Sequence, residues 1–314
     1  MGPVYILYKN SYFCMNMVKK KLNVLVTGGN GQLGRALRAA CKGSADRWIF
    51  TDISTLPGEE TTYLDVTNPD AVRIVCASER VDVIVNCAGY TDVEKAESDT
   101  ASASQLNAEV PRTLAGVCSA SGATLIHIST DYIFSGSASE PIKESEIPSP
   151  ISVYGASKLA GEKAVLDSGC ASVIIRTAWM WSESGRNFVK TMLRLTAGRD
   201  SIKVVCDQTG TPTYAGDLAA FIVSMVSSRS FDKSGIYNYT NLGVASWYDF
   251  AVAIRDLAGN ECKISPCKSG DFPQKARRPH YSVLDKSLVQ ETFGVAIPHW
   301  CDSLKQHISE VHAD

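Results

Sequence analysis

A glycine-rich turn set between an apolar run and a helical run most constrains what this chain can become. Residues 21–29, KLNVLVTGG, are apolar until they stop at glycines, and read as a buried strand. GQLGRALRAACKG follows with helical spacing and a stop at Gly43. Gly28, Gly31 and Gly34 recur every third residue, and Gly29, Gly31 and Gly34 also satisfy G-x-G-x-x-G. In a strand–turn–helix context that pattern points to dinucleotide binding rather than to a plain tight turn. A Cβ would hold the backbone away from a pyrophosphate, and a helix N-terminus supplies free N–H groups and a positive dipole end. Gly34 lets the helix pack closely on the strand. Asn30, Gln32 and Leu33 complete the turn and count with the glycines as cofactor-binding candidates.

The rest of the first half repeats the same alternation. WIFTD (48–52), VDVIVNCAG (81–89), ATLIHIST (123–130) and ASVIIRTAW (171–179) read as strands, with helical segments between them, one of them a long helix from about 98 to 121. Continuous apolar strands separated by helices argue for a parallel sheet covered on both faces. The expected fold is α/β, a Rossmann-type doubly wound parallel sheet with a smaller, discontinuous α/β substrate domain. Residues 21–179 plus 213–244 are expected to form the dinucleotide-binding domain, and 180–212 plus 245–314 the substrate-binding domain. TYAGDLAAFIVSM and GIYNYTN are read as a helix and a strand that return to the sheet.

Bulk properties narrow the class. With 45% hydrophobic and 20% charged residues the chain reads as an ordinary globule. A net charge of -2 gives no reason to expect a nucleic-acid partner. No run of 18 apolar residues predicts a membrane span. The ten cysteines are scattered without a C-x-x-C pair, so no zinc site is expected and a reducing cytoplasm is. Residues 1–20 lack a basic start, a continuous apolar segment and a small-residue cleavage site. They are read as an extension outside the folded body, not a signal peptide, and Met15 or Met17 could equally be the biological start.

Asp52 ends the second strand 18 residues beyond Gly34, where a carboxylate accepts from ribose hydroxyls and disfavours a 2′-phosphate. No Arg or Lys stands beside it in TDISTLPG, which tilts the choice toward NADH without excluding NADPH. Asp65 and Val66 follow a third short strand. Asp65 could face the adenine or cap the following helix, and the sequence does not choose. In VYGASKLAGEKAV, Tyr154 and Lys158 are four apart and share one helical face. A cation beside a phenol favours the phenolate and lowers its pKa, which makes Tyr154 a usable proton donor to a developing alkoxide. Thr130 closes the HIST strand about 24 residues earlier, where ligands of such sheets bind. An exposed surface pair on a helix is the alternative.

TGGNGQLG, LDVTN, NCAGYTDVEKAE, LNAEVPRTLA, HISTDYIFSG, YGASKLAGE, IIRTAWMW, NFVKTML, DQTGTPTYA and ARRPHYSVLD together resemble the extended short-chain dehydrogenase/reductase family over about residues 22–312. Within it they are most similar to the branch that converts dTDP-6-deoxy-L-lyxo-4-hexulose to dTDP-L-rhamnose. The resemblance implies hydride transfer from NADH or NADPH to a 4-keto group. Tyr154 is then the acid, Lys158 its partner, Thr130 the carbonyl ligand, and Asp131 a neighbour of the sugar. Asn107 would hold backbone or water beside the lysine. Cys87, Ala88, Gly89, Tyr90 and Thr91 would flank the cofactor's ribose and phosphates. Trp179, Asn187, Gln208, Arg277 and Arg278 are the substrate-side candidates, the arginines because a planar guanidinium binds diphosphate oxygens in pairs.

Some members of the family bind magnesium through carboxylates, one of them on the first helix. Here that helix reads GRALRAACK, with Ala36 and Arg38 and no acid, so neither that metal nor a metal-linked dimer is expected, while a homodimer by another route stays open. Two alternatives stand beside the reductase: a non-catalytic cofactor-binding regulatory subunit similar to that of methionine adenosyltransferase, and a nucleotide-sugar epimerase or dehydratase. Dehydratases want an acid after the Thr–Asp pair, and here Tyr132 follows.

Overall fold

The computed structural model describes residues 20–272 and 274–312. The expectation for the 1–20 extension therefore lies outside the described residues, except for Lys20, which pairs with Asp82. Seven strands make one sheet, in the order Gly235–Asn238, Ser172–Thr177, Thr124–Thr130, Val83–Asn86, Asn23–Thr27, Arg47–Asp52, Thr62–Tyr63. Every neighbouring pair is parallel. The order reverses between the first strand and Val83–Asn86. That reversal leaves a crevice at the strands' C-terminal ends, where ligands of doubly wound sheets sit.

Alternate side chains of each strand face opposite layers. Leu25, Ile84, Leu125 and Ile174 pack with Leu114 and Cys118 of the Val110–Ser121 helix. Val24, Val26, Val85 and Val173 pack on the other face with Leu33 and Leu37 of the first helix and with Leu218 and Ile222 of Ala215–Ser228. The late helix and the Gly235–Asn238 strand thus return to the sheet. So do Val289 and Ile297, which join the same cluster although they lie in the stretch expected to belong to the smaller part. A third apolar cluster, with Trp181, Val189, Met192, Phe250, Ile254 and Leu304, is built almost wholly from 180–214 and 245–311. There the Ser201–Val205 and Lys263–Cys267 strands pair in parallel.

One element departs from expectation. The long helix over 98–121 is Thr100–Ser104, a π-turn at Gln105–Glu109, and Val110–Ser121. Pro111 has no N–H to return to the carbonyl of Asn107, so the regular helical bond cannot form there. The Val153–Asp167 helix instead packs against that carbonyl through Gly161, whose Cβ, if present, would stand 2.1 Å from it. π-turns of this kind recur at functional sites. No helix among the described residues is long and apolar enough to cross a membrane. The nine described cysteines are free thiols.

Candidate active site

A cavity of about 1440 Å³ opens along the C-terminal edge of the sheet. Its first wall is the glycine turn: Gly28, Gly31, Gln32, Leu33 and Gly34 line it. The glycines are there for different reasons. Gly28 has φ +63°, and a Cβ on it would lie 2.7 Å from the backbone nitrogen of Ala88. A Cβ on Gly34 would lie 2.4 Å from the Gly28 carbonyl oxygen. At Gly31 the only neighbour within 4 Å among the described residues would be that same oxygen, at 3.3 Å. The fold demands glycine at 28 and 34, whereas at 31 the bare backbone serves the cavity. The helix Gln32–Ala40 starts with no side-chain cap, so its first N–H groups stay open to an anion.

Asp52, Asp65, Val66, Cys87, Ala88, Gly89 and Thr91 continue this wall. Asp52 is braced: its Oδ2 accepts from the Asn30 N–H at 3.1 Å, and its Oδ1 from Ser54 N at 3.0 Å and Ser54 Oγ at 2.9 Å. Asn30 lies outside the cavity wall, and its side chain spans Ser54 and Thr61 instead. Asp65 accepts from Thr67, while Asn68 caps the following helix, so Asp65 does not have to. Tyr90 is also off the wall. Its N–H donates to Asn107 Oδ1 at 2.9 Å and its carbonyl accepts from Asn107 Nδ2 at 3.0 Å. Asn107 thereby fixes the strand-end backbone next to Gly89, and it donates to Ser157 Oγ as well. Burial pushes the Cys87 thiol up to about 12, which makes it an inert wall residue.

Thr130, Tyr154 and Lys158 line the same cavity as the turn. Ser152 caps the Val153–Asp167 helix through Gly155 N, and Glu97 accepts from Val153 N at 2.9 Å. Gly155 permits close approach: a Cβ there would be 2.1 Å from the carbonyl oxygen of Tyr132. Below the site, Glu162 of the same helix is fully buried against Arg176, with contacts of 3.0 and 2.8 Å, and accepts from Ser129 Oγ. The helix that carries the phenol is thus anchored to the strand that ends in Thr130. A buried row supports the neighbouring strand ends: Thr27 Oγ1 donates to Asn86 Oδ1 at 2.6 Å, and Asn86 Nδ2 meets His127 Nδ1 at 3.1 Å. Burial holds the His127 imidazole well below its ordinary pKa, and so neutral.

The electrostatics differ from expectation in one respect. Burial pushes the Tyr154 phenol up, with Asp131 and Tyr132 adding to the shift, and only its hydrogen bond with Thr130 opposes it. Lys158 does not set that acidity. Its Nζ donates to the Ile128 carbonyl at 2.5 Å, and burial lowers its own pKa to about 8. Desolvation outweighs the neighbouring charge here because both groups are buried in the same wall. Asp131, also buried, is pushed up to about 6 against the opposing hydrogen bond from Thr130 Oγ1.

On the substrate side Thr130, Asp131, Trp179 and Arg278 line the cavity, and Asn187, Gln208 and Arg277 do not. Asn187 caps the Phe188–Gly198 helix and donates to Gln32 Oε1 at 3.1 Å. Gln208 is buried between Trp247 Nε1 and Ser269 Oγ. Arg277 points to solvent. Trp179 takes the left-handed region, φ +47°, and stacks on Trp247 with centroids 3.6 Å apart. The cavity wall also holds Tyr132 and Trp247, which sequence reading missed. Tyr132 immediately follows the Thr–Asp strand end, a signal that could have found it; nothing local marks Trp247.

On the first helix Arg38 stands over the Phe50 ring at 4.1 Å and donates to the Glu60 carbonyl. Elsewhere Glu183, His307 and Glu310 bring potential ligand atoms within 4.8 Å of one another, but none of them lines the cavity.

The family described as the RmlD substrate binding domain matches residues 22–313. The dTDP-4-dehydrorhamnose reductase of Aggregatibacter actinomycetemcomitans is 39% identical over 291 residues, 90% of this chain and 97% of that one. A Streptomyces antibioticus protein named probable dTDP-4,6-dihydroxy-2-methyloxan-3-one 4-ketoreductase is 38% identical, covering 92% and 95%. The crystal structure of the Bacillus anthracis dTDP-4-dehydrorhamnose reductase in complex with NADP superposes with a TM-score of 0.85 at 34% identity, covering 93% of this chain and all of that one. With its residues 22–313 matched and its length covered by such relatives, the chain belongs to the dTDP-4-dehydrorhamnose reductase family.

Proposed function

We propose that this chain reduces the 4-keto group of dTDP-6-deoxy-L-lyxo-4-hexulose to give dTDP-L-rhamnose. One observation carries the proposal: the glycine turn and the Thr130–Tyr154–Lys158 set wall a single cavity. A regulatory subunit that only binds cofactor would have no use for that set. The open backbone at Gly31 and the uncapped helix behind it fit a pyrophosphate, so Gly28, Gly31, Gln32, Leu33 and Gly34 would hold a nicotinamide dinucleotide, with Asp52 toward its ribose. When bound, NADH or NADPH supplies the hydride. Tyr154 gives its proton to the carbonyl oxygen, so that C=O becomes CH–OH. Thr130 orients that oxygen, and Lys158 reaches the ribose side. Asp131, Trp179 and Arg278 border the sugar nucleotide.

In this proposal 21–179 plus 213–244 hold the cofactor and 180–212 plus 245–314 the sugar, the separate apolar cluster of the second part supporting the division. Two copies pairing, and a place in a reducing cytoplasm, belong to the same proposal. Sedimentation and cell fractionation check them. The direct test mixes the protein with NADH or NADPH and enzymatically made dTDP-4-keto-6-deoxy sugars and follows nicotinamide absorbance. Loss of absorbance with the L-lyxo sugar is expected. Loss only with a different 4-keto sugar would reassign the substrate, as the Streptomyces antibioticus relative's name would suggest. Silence with all of them would restore the regulatory alternative.

A further inference from the structure

Glu94 stands outside the cavity wall, with its side chain 38% exposed, yet three groups of a segment far along the chain converge on it. Arg278 Nη2 donates to Oε1 at 3.0 Å. The backbone N–H groups of Lys275 and Ala276 donate to Oε2 at 2.8 and 3.4 Å. Glu94 belongs to the short Val93–Ala96 helix, whose own N-terminus is capped by Asp92, so its carboxylate is not needed there. Arg278, unlike Arg277, lines the cavity. Its Nε is buried with no hydrogen-bond partner among the described residues, and its charge and the Tyr132 phenol interact. The Tyr132 ring meets the Tyr154 ring edge-on, 5.5 Å between centroids at 78°. A continuous line of contacts runs from Glu94 through Arg278 and Tyr132 to Tyr154.

We propose that Glu94 is a positioning residue for the sugar subsite: its carboxylate holds the strap at 275–278 so that Arg278 and Tyr132 border the substrate beside Tyr154. The proposal rests on the reductase reading for the identity of the substrate. It leaves the Arg278 Nε–H, buried and without a partner among the described residues, as a donor for an oxygen of the sugar nucleotide, since Glu94 is met through Nη2. An ion pair at this exposure contributes little to stability. A merely structural role therefore predicts almost no phenotype, whereas positioning predicts a selective loss of substrate affinity.

The test uses the full chain with Glu94→Gln, Arg278→Gln and the double variant, assayed with the dTDP-4-keto sugar that the wild type reduces. Glu94→Gln is expected to raise the sugar KM about 10-fold or more, the scale of a lost hydrogen bond to a charged group, with kcat changed much less. Cofactor Kd and thermal midpoint should stay near wild type. The double variant should be no worse than Arg278→Gln alone, within about twofold, because the carboxylate acts through the guanidinium. Glu94→Asp keeps the charge but shortens the reach and should fall between wild type and Glu94→Gln. An unchanged KM, multiplied effects in the double variant, or an equal loss of cofactor affinity would each overturn the proposal. If the wild type reduces none of the sugars, the reductase reading fails by itself. Calorimetric binding of the dTDP sugars to the same variants then decides the role of Glu94.

Discussion

The two rims of the cavity are made by different means. The glycine-turn rim is mostly backbone, contributed by consecutive residues at strand ends, and its chemistry is open N–H groups and absent Cβ atoms. The opposite rim is side chains: Trp179, Trp247 and Arg278 come from separate segments, and each is held by a partner distant in sequence. Backbone recognition tolerates almost no change at a few positions. Side-chain recognition spreads its dependence over many contacts, so single substitutions there should shift affinity rather than abolish the fold.

The largest effect is expected in the support beneath the reacting groups. Glu162→Ala would leave Arg176 buried without its partner and should cost about 3–5 kcal/mol of stability, read by urea unfolding. A loss near zero would show that the helix bearing Tyr154 is held by apolar packing alone. Next come the glycines. Gly34→Ala forces a Cβ into backbone and should cost about 3 kcal/mol, whereas Gly31→Ala should fold normally and lose cofactor affinity about 10-fold or more. Equal effects on stability at the two positions would erase the distinction between glycines kept for the fold and a glycine kept for the cavity.

The pH response is a smaller effect and touches both rims. Burial raises Asp131 to about 6 and lowers Lys158 to about 8, so kcat/KM should rise through pH 6 and fall above pH 8. The stability contributions have opposite slopes. The folded state binds the extra proton on Asp131 between its unfolded value near 3.8 and about 6, so stability falls as pH rises across that window. The unfolded state binds the extra proton on Lys158 between about 8 and 10.5, so stability rises there. Asp131→Asn should remove the acid limb and leave the basic one. Smallest of all, Asp52→Ser should shift the NADPH-to-NADH preference toward NADPH by about 10-fold or less. The bracing of Asp52 by Asn30 and Ser54 keeps its carboxylate on the cavity edge. No shift in preference would mean that the ribose end is read elsewhere.

The same contrast decided what the sequence could reveal. A strand, a glycine turn and a helix are contiguous, and a Tyr–Lys pair shares a helical face, so local spacing was enough to single out residues that line one cavity. Which of two adjacent arginines faces the cavity could not, because Glu94, 184 positions earlier, sets how the strap lies. Asn187 lies off the cavity wall, and its position before an apolar helix carries the N-cap signal. Gln208 is a buried strut for Trp247, a contact that no local pattern announces. The acidity of Tyr154 depends on burial, which a spacing of four residues does not encode.

The most direct test is Tyr154→Phe with the dTDP-4-keto sugar that the wild type reduces, measuring turnover and cofactor binding in the same preparation. Cofactor fluorescence titration should remain near wild type while turnover falls about 100-fold or more, the usual scale for a missing general acid. Turnover close to wild type at saturating cofactor would contradict the assignment of Tyr154 as the proton donor, and with it the single-cavity account.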